Sequence, residues 1–209
     1  NAKRTLVRYS FKHILAQLLS YALHPGILPT VGAFYILFVH PDVFAIESIA
    51  RVLFVVFTGT YLIPMLVIYI LTVLGIIESV HLIKKQDRIY PYVVAAFSAI
   101  LTSRILMNMG APKEIIYSTL ASAFVLVVSS VLIPFFKSSA HMAGIAGFTG
   151  LYLALFEKYN AGNLGTMLVL VGLCGAMAWA RTALKRHTLR ELFSGGVLGF
   201  FSLYVLLSR

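Results

Sequence analysis

Three separated stretches concentrate side chains able to do chemistry. The first is Lys84, Lys85, Asp87 and Arg88, and the second is Lys137, Ser138, Ser139 and His141. The third is Arg181, Lys185, Arg186, His187, Arg190 and Glu191. Cations and imidazoles dominate and carboxylates are scarce, a mixture that suits an anion, above all a phosphate. Phosphoryl transfer is catalysed mainly by positioning and by stabilising charge on the equatorial oxygens. Arginine binds phosphate through two parallel hydrogen bonds. A neutral imidazole can attack phosphorus, and a second, protonated imidazole can donate to the leaving alkoxide. Without an Asp/Glu cluster there is no evident magnesium site, so cations of the protein would take the place of a metal, and no cofactor is implied.

The elements that must hold these groups are apolar. The 209 residues are 60% hydrophobic and only 11% charged, with a mean hydropathy of +0.92. A soluble domain carries roughly a quarter charged residues, so lipid is the expected solvent for most of the surface. At about 20 residues per crossing, the chain accommodates about six or seven transmembrane helices in one all-α bundle. The runs are too continuously apolar for a membrane β-barrel. Asn1-Ala2, with no initiating methionine, reads as the remnant of a cleaved tag, leaving a single domain over 3–209.

Polar breaks divide the chain into seven segments. The first, His13 to Val39, contains Pro25-Gly26 and Pro29 and is expected to kink or break into half-helices. The second runs from about Arg51 to Ile83 with a kink at Pro64. The remaining five run Pro91–Met109, Glu114–Phe136, Ser138–Leu155, Leu164–Leu184 and Glu191–Leu207. Glycine and alanine crowd the last three, around Gly144 to Gly150, Gly172 to Ala176 and Gly195 to Gly199, as expected where helices approach closely in lipid. If the segments cross alternately, the three polar stretches meet on one face of the membrane. Ionisable groups near membrane depth are costly and mark function.

The formal charge of +10 would suggest nucleic acid in a soluble protein. Here positive loops, anionic headgroups or a cationic pocket account for it, and no nucleic-acid motif is present. Plainer roles also fit individual residues. The third stretch and Lys84, Lys85 and Arg88 suit positive interfacial loops, His141 suits a packing histidine, and Ser138 or Ser139 suits a helix N-cap. His13, His24, His40 and His81 follow no ligand spacing and read as interfacial or core. Cys174 is the only cysteine, so no intrachain disulfide forms. Arg104 and Asn108 share one face of an apolar segment.

The polar pattern resembles the type 2 phosphatidic acid phosphatase (PAP2) superfamily, whose signature is K-x6-R-P, P-S-G-H and S-R-x5-H-x3-D. Ala180-Arg181, His187 and Glu191 match the third part in spacing, with Ala for Ser and Glu for Asp. Ser138-Ser139-Ala140-His141 matches the second in its Ser and His. Lys84 or Lys85 with Arg88 supplies the residue types of the first, although Arg88 stands three residues before Pro91 and not next to it. The likeness covers roughly residues 78 to 200. It implies a PAP2-like helical core, His187 as nucleophile, Glu191 as its orienting carboxylate and His141 as general acid. It also implies Arg181, Ser139, Lys84, Lys85 and Arg88 as phosphate ligands, with no metal.

The expected activity is hydrolysis of a membrane-lipid phosphomonoester or pyrophosphate through a phosphohistidine. Phosphatidic acid, phosphatidylglycerol phosphate, isoprenyl pyrophosphate and lipid A phosphate are the candidate substrates. The alternatives are a non-catalytic protein that binds or moves anionic lipid on the same fold, and a phosphotransferase. The family implies a bacterial inner membrane with the site on the extracytoplasmic face. The basic residues weigh towards the cytoplasmic face by the positive-inside rule. Oligomeric state is not legible.

Overall fold

The structure, a computed structural model, describes residues 11–39, 46–78 and 88–209; among these there are helices and turns and no strand. In chain order the helices are α1 (Phe11–Ala22), α2 (Leu28–Val39), α3 (Ile46–Phe57), α4 (Ile63–Val73), α5 (Ile89–Asn108), α6 (Lys113–Leu132), α7 (Ala140–Tyr159), α8 (Leu164–Ala183) and α9 (Leu189–Leu207). Five stretches are long and apolar enough to cross a membrane: Ser48–Val73, α5, α6, α8 and α9. Their outer faces carry exposed Phe97, Phe124, Val131, Leu168 and Phe201. Such a surface is compatible with an integral membrane protein.

The first apolar segment is broken, with residues 23–27 between α1 and α2. Pro25 and Pro29 cannot donate to the preceding turn. In the second segment Pro64 does not produce a simple kink. A π-helical turn, Thr58–Leu62, joins α3 to α4, and Ile63 N–H reaches back to the Thr58 carbonyl. This frees the Gly59 carbonyl, which accepts from Ser98 Oγ of α5 at 2.6 Å. A Cβ at Gly59 would collide with the Thr102 side chain, so α5 presses directly on the bulge. The helix also stops at Val73, short of the expected Ile83: Gly75 turns the chain at φ +71°.

Helix α7 packs most closely on α9, and α5 on α6. The α7–α9 contact is a glycine seam. Gly199 lies against the Ala143 backbone, Gly150 against the Phe200 backbone, and a Cβ at Gly195 would stand 2.5 Å from the Ser139 carbonyl oxygen. The glycines of α8 differ: nothing lies within 4 Å of a Cβ at Gly172 or Gly175, which face outward. α8 instead packs through Leu170, Met177, Ala180 and Arg181.

One end of the bundle is latched by Glu114, which accepts from Tyr159 Oη at 2.6 Å and pairs with Lys158 at 3.6 Å. Nearby, Tyr204 donates to Glu157 at 2.9 Å. Arg104 and Asn108 are exposed near this end of α5. The core beside it contains Ile36, Val56, Leu106, Ile115, Ala154, Leu155 and Leu207. The opposite end gathers the start of α5, the α6–α7 turn and the α8–α9 turn.

Candidate active site

The Arg181-to-Glu191 stretch is built by two consecutive helix ends. α8 closes with Lys185 in the left-handed region at φ 53°, Arg186 N–H bonding the Arg181 carbonyl and Lys185 N–H the Thr182 carbonyl. These are the paired bonds of a Schellman ending. It leaves Arg181 in the last turn of α8 and reverses the chain so that His187 faces back towards it. Thr188 then caps α9 in a reciprocal capping box with Glu191. Glu191 Oε2 accepts from the Thr188 N–H at 3.0 Å and lies 3.2 Å from His187 Nδ1. With Nδ1 donating to the carboxylate, Nε2 carries the lone pair.

The α6–α7 turn is tied to the same place. Ser139 N–H donates to the Glu191 carbonyl at 3.0 Å, and Ser139 Oγ caps α7 by accepting from Met142 N–H at 3.4 Å. Ser139 is fully buried. His141, one residue into α7, lies in the electrostatic neighbourhood of Arg181, His24 and His187, with the Ser20 backbone against its ring.

Arg88, His141, Arg181, Lys185, Arg186 and His187 line one end of a cavity of about 680 Å³. Thus His141, Arg181, His187, Glu191 and Arg88 come to one end of the bundle; Lys84 and Lys85 lie outside the described residues. Arg181 is buried, its Nη1 donates to Ser20 Oγ at 3.4 Å, and its Nε has no hydrogen-bond partner among the described residues. A buried guanidinium donor left unpaired is costly, and an anion in the cavity would satisfy it. Among the described residues no three His, Cys, Asp or Glu side chains group as metal ligands.

The electrostatics are those of a cation cluster around a neutral imidazole. Burial, then Arg88, Arg181 and Lys137, push His187 down from 6.5 to about 3, with the Lys137 backbone against its ring opposing them. Partial burial and then Arg88 hold Lys137 below its usual value, with Arg181 and Arg186 adding to the effect and Glu191 opposing it. A bound anion would relieve this mutual repulsion.

Residues that the spacing did not single out also reach the site. His24, in the α1–α2 break, stands edge-on to His141 with ring centroids 5.7 Å apart, and to Tyr61 at 5.4 Å. Its Nδ1 accepts from Gly26 N–H at 3.2 Å. Ser20 contacts Arg181 from α1. No local pattern signals either residue, because the break in the first segment alone brings them to α7 and α8.

No family model, curated protein or solved structure matches this chain.

Proposed function

We propose that the protein is a metal-independent lipid phosphate phosphatase of PAP2 type, acting at the membrane surface. The observation that carries the reading is the arrangement at the cationic end of the cavity. A buried neutral His187, oriented by Glu191, is ringed by Arg88, Lys137 and Arg181 and shares the cavity with His141. An anion-binding site alone has no need of an oriented, unprotonated imidazole.

Arg181 and Arg88 hold the phosphate oxygens. His187 Nε2 attacks phosphorus while Glu191 stabilises the charge that develops on the ring. The phosphorus–oxygen bond to the lipid breaks, and the alkoxide takes a proton from His141, which received it from the phosphate monoanion on binding and gives it up again with the departing inorganic phosphate at the end of the cycle. Water then gives a proton to His141 and attacks the phosphohistidine. The phosphorus–nitrogen bond breaks, inorganic phosphate leaves, and both imidazoles return to their starting states. The substrate is a phosphomonoester or pyrophosphate of a membrane lipid.

In this reading α7, a 20-residue helix packed along α9, makes a further crossing, and α1–α2 form a broken, partly inserted segment. The membrane is the bacterial inner membrane with the site facing outward, as in the family. A non-catalytic anionic-lipid binding or transport protein is the second reading. It is favoured by Ala180, which is buried and carries no hydroxyl at the motif's serine position, and by Ser139, whose oxygen caps α7.

Phosphate release from a panel of lipid phosphates separates the two. The wild type releases phosphate in EDTA, whereas His187→Ala and His141→Ala fold normally and do not. Undiminished release by His187→Ala would sink the nucleophile assignment, and no release by wild type from any lipid would favour the binding protein.

A further inference from the structure

The cavity continues far beyond the groups that phosphate chemistry uses. Among its described lining residues the Lys and Arg side chains, Arg88, Arg181, Lys185 and Arg186, all stand at the end of the bundle where α5 begins and α8 turns into α9, and no Asp or Glu is present. Deeper in, the walls are Leu28, Ile68, Ala95, Ala99, Val125 and Phe148. Three of the hydroxyls there donate to backbone carbonyls: Ser122 Oγ to Ser118 at 2.9 Å, Ser118 Oγ to Ile115 at 3.0 Å and Thr60 Oγ1 to Val56 at 2.8 Å. The inner chamber therefore offers an apolar lining with no charge.

Its inner end meets the packed core. Leu151 and Leu203 line the cavity and at the same time belong to the packed core cluster. They lie eleven and fourteen residues from the starts of α7 at Ala140 and α9 at Leu189. At about 1.5 Å per residue the chamber reaches roughly 16–21 Å into the bundle. This is over half of a hydrocarbon core of about 30 Å.

We propose that the chamber takes the hydrocarbon chain of the phosphate-bearing ligand into the protein, with its far end against Leu151 and Leu203, so that the site reads chain length. The inference rests on the phosphate site proposed above and names the part of the substrate that site would not see. A cationic end joined to an uncharged, largely apolar chamber fits an amphiphile with an anionic head. A water-soluble phosphate ester would leave the chamber unused, and a lipid whose tail stayed in the bilayer would have no need of it.

The direct test does not depend on turnover. Dodecylphosphonate, whose carbon–phosphorus bond is not cleaved, is made with a photoreactive diazirine at the terminal carbon and bound to the purified full chain. Labelling is expected on the inward residues Ser118, Leu151 and Leu203. Ser122→Leu, which fills the middle of the chamber, should reduce it at least several-fold and move the label towards the cationic end. Label confined to the outward-facing Phe97, Phe124 and Phe201 would overturn the proposal.

Hydrolysis gives a second readout, with alkyl phosphates kept below their micelle-forming concentrations. kcat/KM is expected to rise roughly four-fold for each methylene buried, until the chamber is filled. Ser122→Leu should cut the rise short while leaving butyl phosphate unaffected. An equal slowing of all lengths would count against the ruler. A wild type that labels in the chamber but releases no phosphate would refute the phosphatase reading and leave the ruler standing.

Discussion

Glu191 serves two masters, and separating them tests the mechanism. Its Oε2 accepts from the Thr188 N–H as half of a helix cap and faces His187 Nδ1 as a catalytic carboxylate would. Both contacts use the same oxygen. In Glu191→Gln a single amide oxygen can keep both while the negative charge is removed. Glu191→Ala removes the acceptor as well. Two unit charges about 4 Å apart interact by about 4 kcal/mol at an effective dielectric constant of 20. The imidazole gains its charge only on attack, so this interaction falls on the transition state, where each 1.4 kcal/mol is about ten-fold in rate. Glu191→Gln should therefore lower kcat by about 10² to 10³ with KM nearly unchanged and thermal stability retained. Glu191→Ala should lower kcat at least as far and also cost about 1 kcal/mol of stability through the lost cap. Single-turnover phosphate release and thermal unfolding in the same detergent measure both. Wild-type kcat in Glu191→Gln would refute the reasoning and leave Glu191 as a capping residue alone.

Acid stability should report the burial of His187. Its pKa is about 3 in the folded chain and 6.5 when free, so between those values the unfolded chain binds a proton that the folded one does not. Its contribution is complete above about pH 6.5 and is lost as pH falls towards 3, by up to about 1.4 kcal/mol per pH unit. Denaturant titrations between pH 4 and 7 should show this slope in the wild type and its loss in His187→Gln. The glycines of α9 and α8 should behave oppositely. Gly195→Ala drives a Cβ to 2.5 Å from the Ser139 carbonyl oxygen, and neither backbone can yield without parting α7 from α9. A loss of about 1–3 kcal/mol is expected, together with lost activity as the Ser139–Glu191 tie opens. Gly175→Ala meets nothing within 4 Å and should be neutral, or slightly stabilising through better helix propensity; unfolding midpoints of the two variants make the comparison.

What the sequence disclosed follows the range of each constraint. The spacing from Arg181 to His187 to Glu191 was legible because it is local: one helix ending, one tight turn and one capping box fix all three positions with no help from the rest of the chain. The alternation of apolar segments likewise pointed to one end for the second and third polar stretches, since helices of similar length joined by short turns return to the same face. The residues that were not legible depend on contacts across the fold. Ser20 and His24 reach Arg181 and His141 only because α1 and α2 are broken apart, and Pro25 and Pro29 announced a break without saying where its ends would point. Pro64 signalled a disturbed helix, but whether it kinks or bulges was decided by α5, whose Ser98 supplies the donor for the Gly59 carbonyl. The same logic separates the glycines. Gly199 and Gly175 look alike in a small-residue stripe, and only the partner helix determines that one is a contact and the other outward-facing surface. Geometry that one turn of chain can encode was therefore readable before the fold, whereas the chamber, lined by elements from α1 to α9, exists only in the assembled bundle.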